Sequence, residues 1–214
     1  ARGLAVEQRG EYGVPQRHQN CTISIFEYSG AMDVCAAIDH WGSTPEERLR
    51  RYPCDDVLPE HEQALFRAVT VDATPPVVFR WLCQLKVAPY SYDLLDNGGR
   101  RSPQHLVPGV DRPVVGEQVM IFELASFAVD EHLTICVRGH RVFGDAAISY
   151  VVLPDGPGRS RLVVKLVTVP ARGVAGTVMR RLLPAGDLVM MRRQLLNLKA
   201  LAEATATEPV EARS

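Results

Sequence analysis

The chain lacks an excess of either charge: 24 lysines and arginines stand against 25 aspartates and glutamates, a formal net charge of −1 over 214 residues. With no excess, and no basic stripe interleaved with aromatics, nothing in it is built to hold nucleic acid or an anionic membrane surface. Long hydrophobic runs are missing too. Stretches such as Ala146–Leu153 are far too short to span a bilayer. Cysteine is sparse: Cys21, Cys35, Cys54, Cys83 and Cys136 are odd in number, with no CxxC pair and no Cys/His cluster. Neither a disulfide framework nor a zinc site is indicated, and reduced thiols in a cytoplasm are the expectation. The opening ARGLAVEQRGEYG has no apolar signal-peptide core, and it lacks an initial methionine, as a fragment or an upstream-extended reading of the gene would.

Motifs that bind cofactors are absent as well. There is no GxGxxG, no P-loop and no GxSxG elbow, and Gly156-Pro157-Gly158 reads as a hairpin turn. No histidine pair has metal-ligand spacing with a carboxylate. The expectation is a chain with no cofactor and no metal.

What is present begins at Leu65. Val69 and Val71 sit two apart in a β-branched run that suits a half-buried strand, and Asp72-Ala73-Thr74 breaks that period. Thr74 is placed to cap a helix opening at Pro75, with Val78, Trp81, Leu82 and Leu85 along one face. Residues 91–96 read as a short aromatic-acidic helix. Strand-like segments follow at Glu117–Leu124, Phe127–Val129, Leu133–Val137, Ala146–Leu153 and Arg161–Val169, with a tight connection at Asp130-Glu131 and a hairpin turn at Asp155–Gly158. Residues 174–204 are helical, and Pro184 predicts a break into a shorter and a longer helix. From there Leu188, Met191, Leu195, Leu198 and Ala202 recur at spacings of three and four.

Ahead of this unit, Ser43 or Thr44 caps a short helix from Pro45 that ends near Tyr52-Pro53, and Asp55–Glu60 reads as a polar arm. Residues 1–40, with a possible strand at Thr22–Phe26 and helix at Ala31–Ile38, form an extension without sustained period. The organisation is therefore 1–40 extension, 41–60 lead-in helix and arm, 61–204 main domain, and 205–214 frayed tail.

The order of strand, helix, antiparallel strands and long C-terminal helix resembles the START-like superfamily, also called SRPBCC. The strings Trp41-Gly-Ser-Thr-Pro-Glu-Glu, Phe79-Arg-Trp-Leu-Cys-Gln-Leu, Tyr90-Ser-Tyr-Asp-Leu-Leu-Asp-Asn and Pro184-Ala-Gly-Asp-Leu-Val-Met-Met-Arg-Arg-Gln-Leu-Leu-Asn-Leu-Lys look like its actinobacterial polyketide cyclase/dehydrase and lipid-transport-like branch. Lys86-Val87-Ala88-Pro89 stands where that branch carries a glycine-rich connection. The resemblance covers about residues 41–204. It implies an α+β helix-grip fold, an antiparallel sheet wrapped around a long C-terminal helix, with a cavity between them.

Trp81, Tyr90 and Tyr92 are three aromatics within a short span, on the elements that would border such a cavity. They are the expected ligand contacts, with Met191 and Leu195 from the C-terminal helix. Tyr92, Asp93 and His132 are the candidates for catalysis. For Asp93 and His132, capping and solvation are the commoner roles of such residues. On the last strand, Leu162, Val164, Leu166 and Thr168 are expected to face the helix, leaving Arg161 and Lys165 in solvent. The reading is a protein that holds a hydrophobic small molecule such as a lipid or polyketide. The alternatives are a cofactor-free aromatase/cyclase or dehydratase and a protein-interaction module using an apolar groove.

Residues 1–40 carry no periodic apolar positions to bury. A chain starting at His40 should melt within a few degrees of the full-length protein. Expression only as aggregate would place the extension in the core.

Overall fold

The computed structural model describes residues 38–93, 98–141 and 144–207. Two short helices lead in, α1 at Pro45–Leu49 and α2 at Pro53–Val57. Strand β1 (Gln63–Val71) and helix α3 (Pro75–Cys83) follow. Then come β2 (Gln118–Val119), β3 (Phe122–Ala128), β4 (His132–His140), β5 (Gly144–Pro154), β6 (Ser160–Val169) and the long helix α4 (Val174–Thr207). The six strands form one antiparallel sheet in the order β1-β6-β5-β4-β3-β2. Residues 1–37 of the expected extension, including Thr22–Phe26, and residues 94–96 of the expected 91–96 helix lie outside the described residues.

Local chemistry accounts for the boundaries. Thr44 caps α1 through a reciprocal box: its Oγ1 accepts from Glu47 N at 3.2 Å, and its own N–H donates to Glu47 Oε2 at 2.8 Å. Thr74 holds the extended N-cap conformation before α3, but its hydroxyl makes no capping bond. Pro75 and Pro76 have no N–H to satisfy, and Val77 and Val78 donate to the Thr74 carbonyl. Gly156 and Gly158, at φ +90° and +71°, supply the turn that joins β5 to β6. The predicted gap between two strands at Leu124 and Phe127 is instead a bulge within β3, where the register against β4 shifts between Leu124 and Ser126.

One face of the sheet packs on α3 and α4. Leu162, Val164 and Leu166 of β6 join Val78, Trp81, Leu82, Met191, Leu195, Leu198 and Ala202 in a single core. The opposite face is not left to solvent. Tyr52, Cys54 and Leu58 cover it, packing on Phe66, Ala68, Val163 and Val167.

This corrects the reading of Arg161 and Lys165, and of the polar arm. Lys165 Nζ lies 2.5 Å from Asp55 of α2 and over the rings of Tyr52 and Phe66, and Arg161 Nε lies 2.6 Å from Glu47 of α1. A cation on a covered sheet face needs a carboxylate, and the lead-in helices bring one to each.

The second correction concerns α4, which runs unbroken through Pro184. Proline at 184 removes the N–H that Arg180 O would accept, and a side chain of β1 takes its place: Gln63 Nε2 donates to Arg180 O at 3.5 Å. The Pro184 carbonyl is taken by Arg67 Nη2 at 3.2 Å.

Arg67 Nη1 also donates to the Asp39 carbonyl at 2.9 Å, one bond that a chain starting at His40 gives up. Leu195 is fully buried under the sheet. Leu195→Ala should cost about 2–5 kcal/mol in denaturant unfolding, from lost burial plus a cavity. A loss below about 0.5 kcal/mol, the size of a surface change, would contradict this packing.

Candidate functional site

The sheet face that meets α4 is filled by side chains only along part of its length. Between the sheet and the N-terminal half of α4 is a cavity of about 640 Å³. Its floor comes from alternate residues of the central strands, among them Val137 of β4, Ala146, Ile148 and Tyr150 of β5, and Leu166 and Thr168 of β6. Its roof is α4 from Met179 to Gln194, and its sides are Pro89 and Ser91 and the β2–β3 turn at Met120–Phe122. It opens to solvent beside Ile121 and Leu182, both exposed. Four of the chain's five methionines, Met120, Met179, Met190 and Met191, line it, so much of the wall is unbranched and polarisable and can mould to varied shapes.

The side wall at 89–91 is held from above. Gln194 Nε2 donates to Pro89 O at 2.6 Å and Asn197 Nδ2 to Tyr90 O at 2.8 Å. Tyr90 takes a left-handed backbone, φ +55°, which a glycine in this connection would adopt without strain.

Polar groups converge at one end. Tyr150, Val164 and Arg67 pair side by side across β5, β6 and β1, and Asp187 of α4 comes down to this row. Arg67 Nη2 stands 2.8 Å from Asp187 Oδ2, with only 1% and 8% of the two side chains exposed. Beyond this ion pair, Oδ2 has no other hydrogen-bond partner among the described residues. Arg67 lies behind Asp187, so the carboxylate and not the guanidinium faces the cavity. Burial pushes the Asp187 carboxyl up to about 6 against the opposing pull of Arg67. Burial likewise lowers the pKa of Arg67 and raises that of Tyr150. The Tyr150 hydroxyl donates to Gln194 Oε1 at 2.9 Å. Further along β6, the Thr168 hydroxyl is buried with no hydrogen-bond partner among the described residues.

The residues singled out from sequence are placed differently. Met191 lines the cavity, and Leu195 sits in the core one turn further along α4. Trp81 and Tyr90 are buried edge-to-face at 6.0 Å, away from the cavity lining, with Trp81 Nε1 donating to Thr205 Oγ1 at 3.0 Å. Burial pushes the Tyr90 hydroxyl up to about 12. Tyr92 is exposed and does not line the cavity. Asp93 accepts from Ser102 N at 2.9 Å and Ser102 Oγ at 2.5 Å, a loop-fastening role. His132 opens β4, partly buried and with a pKa lowered by that burial, outside the lining. Arg67, Tyr150, Asp187 and Gln194 were not among the expected site residues. Their sequence signal is a polar residue set into an apolar period, as with Asp187 four positions before Met191.

No protein-family model matches this chain, and no curated protein does. Solved structures similar to it include protein MLL2253 from Mesorhizobium loti, with 13% identity over 67% of this chain and 98% of that one and a TM-score of 0.44. A START superfamily protein from Mycobacterium smegmatis has 16% identity, covering 71% and 99%, with a TM-score of 0.40. The di-domain ARO/CYC StfQ from the steffimycin biosynthetic pathway has 14% identity, covering 68% and 52%, with a TM-score of 0.40. The strand order and the long closing helix are those of the helix-grip fold expected from the sequence. No helix among the described residues is long and apolar enough to cross a membrane.

The folded Asp187 carboxyl titrates near 6 and the free group near 3.8, so between those values the folded state holds more protons than the unfolded one. This group's contribution to stability therefore falls as pH rises through that window. Urea unfolding at about pH 4 and about pH 6.5 should show the loss in the wild type and a smaller one in Asp187→Asn. Equal losses in both proteins would contradict the assignment.

Proposed function

We propose that this protein binds a hydrophobic small molecule, such as a lipid, polyketide or related metabolite, in the cavity between the sheet and α4. The observation that carries the reading is the cavity itself: about 640 Å³, walled mainly by aliphatic and methionine side chains, with a few polar groups at one end. That volume lies within the roughly 300–1,000 Å³ typical of small-molecule sites. Burial of an apolar ligand there contributes about 25 cal/mol per Å² of surface removed from water, before the costs of association. Of the residues expected from sequence, Met191 remains a proposed contact.

A second reading is favoured by one observation. Asp187 is a cavity carboxyl with a pKa near 6, suited to take or give a proton close to neutrality. A cofactor-free cyclase or dehydratase would use it as acid or base, with Tyr150 nearby to orient a carbonyl. Asp187→Asn separates the readings: a carrier keeps its function, whereas an enzyme loses turnover while still binding substrate.

The binding reading is tested with Nile red, an uncharged apolar dye, followed by its fluorescence. A side chain added at Gly186 meets open space. Gly186→Phe should fill the cavity and weaken dye affinity by about tenfold or more, without loss of helix by circular dichroism. Tyr92→Phe, outside the lining, should titrate as the wild type does. Equal affinity in the wild type and Gly186→Phe would place the dye elsewhere and overturn the reading.

A further inference from the structure

The polar end of the cavity carries a charge pattern that selects among apolar ligands. Among the described residues its one cation, Arg67, turns both terminal nitrogens to the protein, and its Nε is buried without a partner among them. Nη1 donates to Asp39 O at 2.9 Å and to Phe66 O at 2.8 Å, while Nη2 donates to Pro184 O at 3.2 Å and faces Asp187 at 2.8 Å. The group presented to a ligand is therefore the Asp187 carboxyl, which lines the cavity while Arg67 does not. The neighbouring Tyr150 O–H is committed to Gln194 Oε1 at 2.9 Å, and Gln194 Nε2 to Pro89 O at 2.6 Å.

Building on the binding reading above, we infer that the cavity selects neutral amphiphiles that donate a hydrogen bond, with a hydroxyl set against Asp187, and rejects amphiphiles that end in a carboxylate. A hydroxyl donates to this carboxylate and adds no charge to a balanced, buried ion pair. A ligand carboxylate would enter with no free cation to meet it and would place two carboxylates on one guanidinium, which disfavours ionisation of both. An ammonium group would find the acceptor, but its charge would lie close to Arg67.

The test uses the purified full chain with bound Nile red at about pH 8, displaced by dodecanol, dodecanoic acid or dodecylamine, which share one tail and differ in the head. Dodecanol should displace the dye at a concentration about tenfold or more below that needed for the acid, and below that for the amine. In Asp187→Ala, Arg67 is left uncompensated and the acid should gain on the alcohol. Should that variant fail to fold, the comparison in the wild type decides alone. Equal displacement by alcohol and acid, or preference for the acid or the amine, would overturn the inference while leaving hydrophobic binding intact. Failure of Nile red itself to bind would overturn the binding reading and this inference with it.

Discussion

Burying one guanidinium is the constraint on which this fold turns. Arg67 sits in the middle of an edge strand of the sheet, on the face that meets α4, and is 1% exposed. A charge in that position is tolerable only if it is paired and its terminal nitrogens are matched. The matching groups come from three parts of the chain: the carbonyl of Asp39 before the domain, the carbonyl of Pro184 inside α4, and the carboxylate of Asp187. The same arginine thus fastens the lead-in segment, seats the helix where proline has disrupted its ladder, and sets the sign of charge in the cavity. Removing either partner of the ion pair strands the other in a medium of low dielectric, so structure and binding chemistry are tied to one contact.

The cavity exists because α4 changes character along its length. Its C-terminal half presents Leu195, Leu198 and Ala202, which fill the space against the sheet and α3. Its N-terminal half presents Gly186, with no side chain, and flexible methionines, over a stretch of sheet floored by Ala146 and Ile148. Small and pliable residues at that end leave a space that branched residues close at the other. Gln194 and Asn197 stand at the transition, holding Pro89 and Tyr90 by their carbonyls and so fixing one wall.

Much of this was legible in the sequence, where periodicity is local. The three-and-four spacing from Met191 to Ala202 marked the buried helical stripe, and the alternation in Arg161–Val169 correctly assigned Leu162, Val164 and Leu166 to the helix side. What was not legible depends on partners far along the chain. Lys165 read as solvent-facing because its carboxylate, Asp55, is 110 residues away. Pro184 read as a break because the group that takes the carbonyl it orphans, Gln63, lies 117 residues before that carbonyl's residue, Arg180. The aromatic cluster drew attention to Trp81, Tyr90 and Tyr92, yet Trp81 and Tyr90 pack on each other and none of the three lines the ligand-sized space. Arg67 and Asp187 each interrupt an apolar pattern, and only their pairing gives either interruption a meaning.

The central claim is that an apolar ligand occupies the space between the sheet and the first half of α4. Methionine methyl groups report on it directly, since Met120, Met179, Met190 and Met191 all face that space. With methyl-labelled methionine, titration of a neutral apolar ligand should move these four resonances together and saturably, with contacts from ligand protons to the Met179 and Met191 methyls. Saturable binding that leaves all four unmoved would contradict the account.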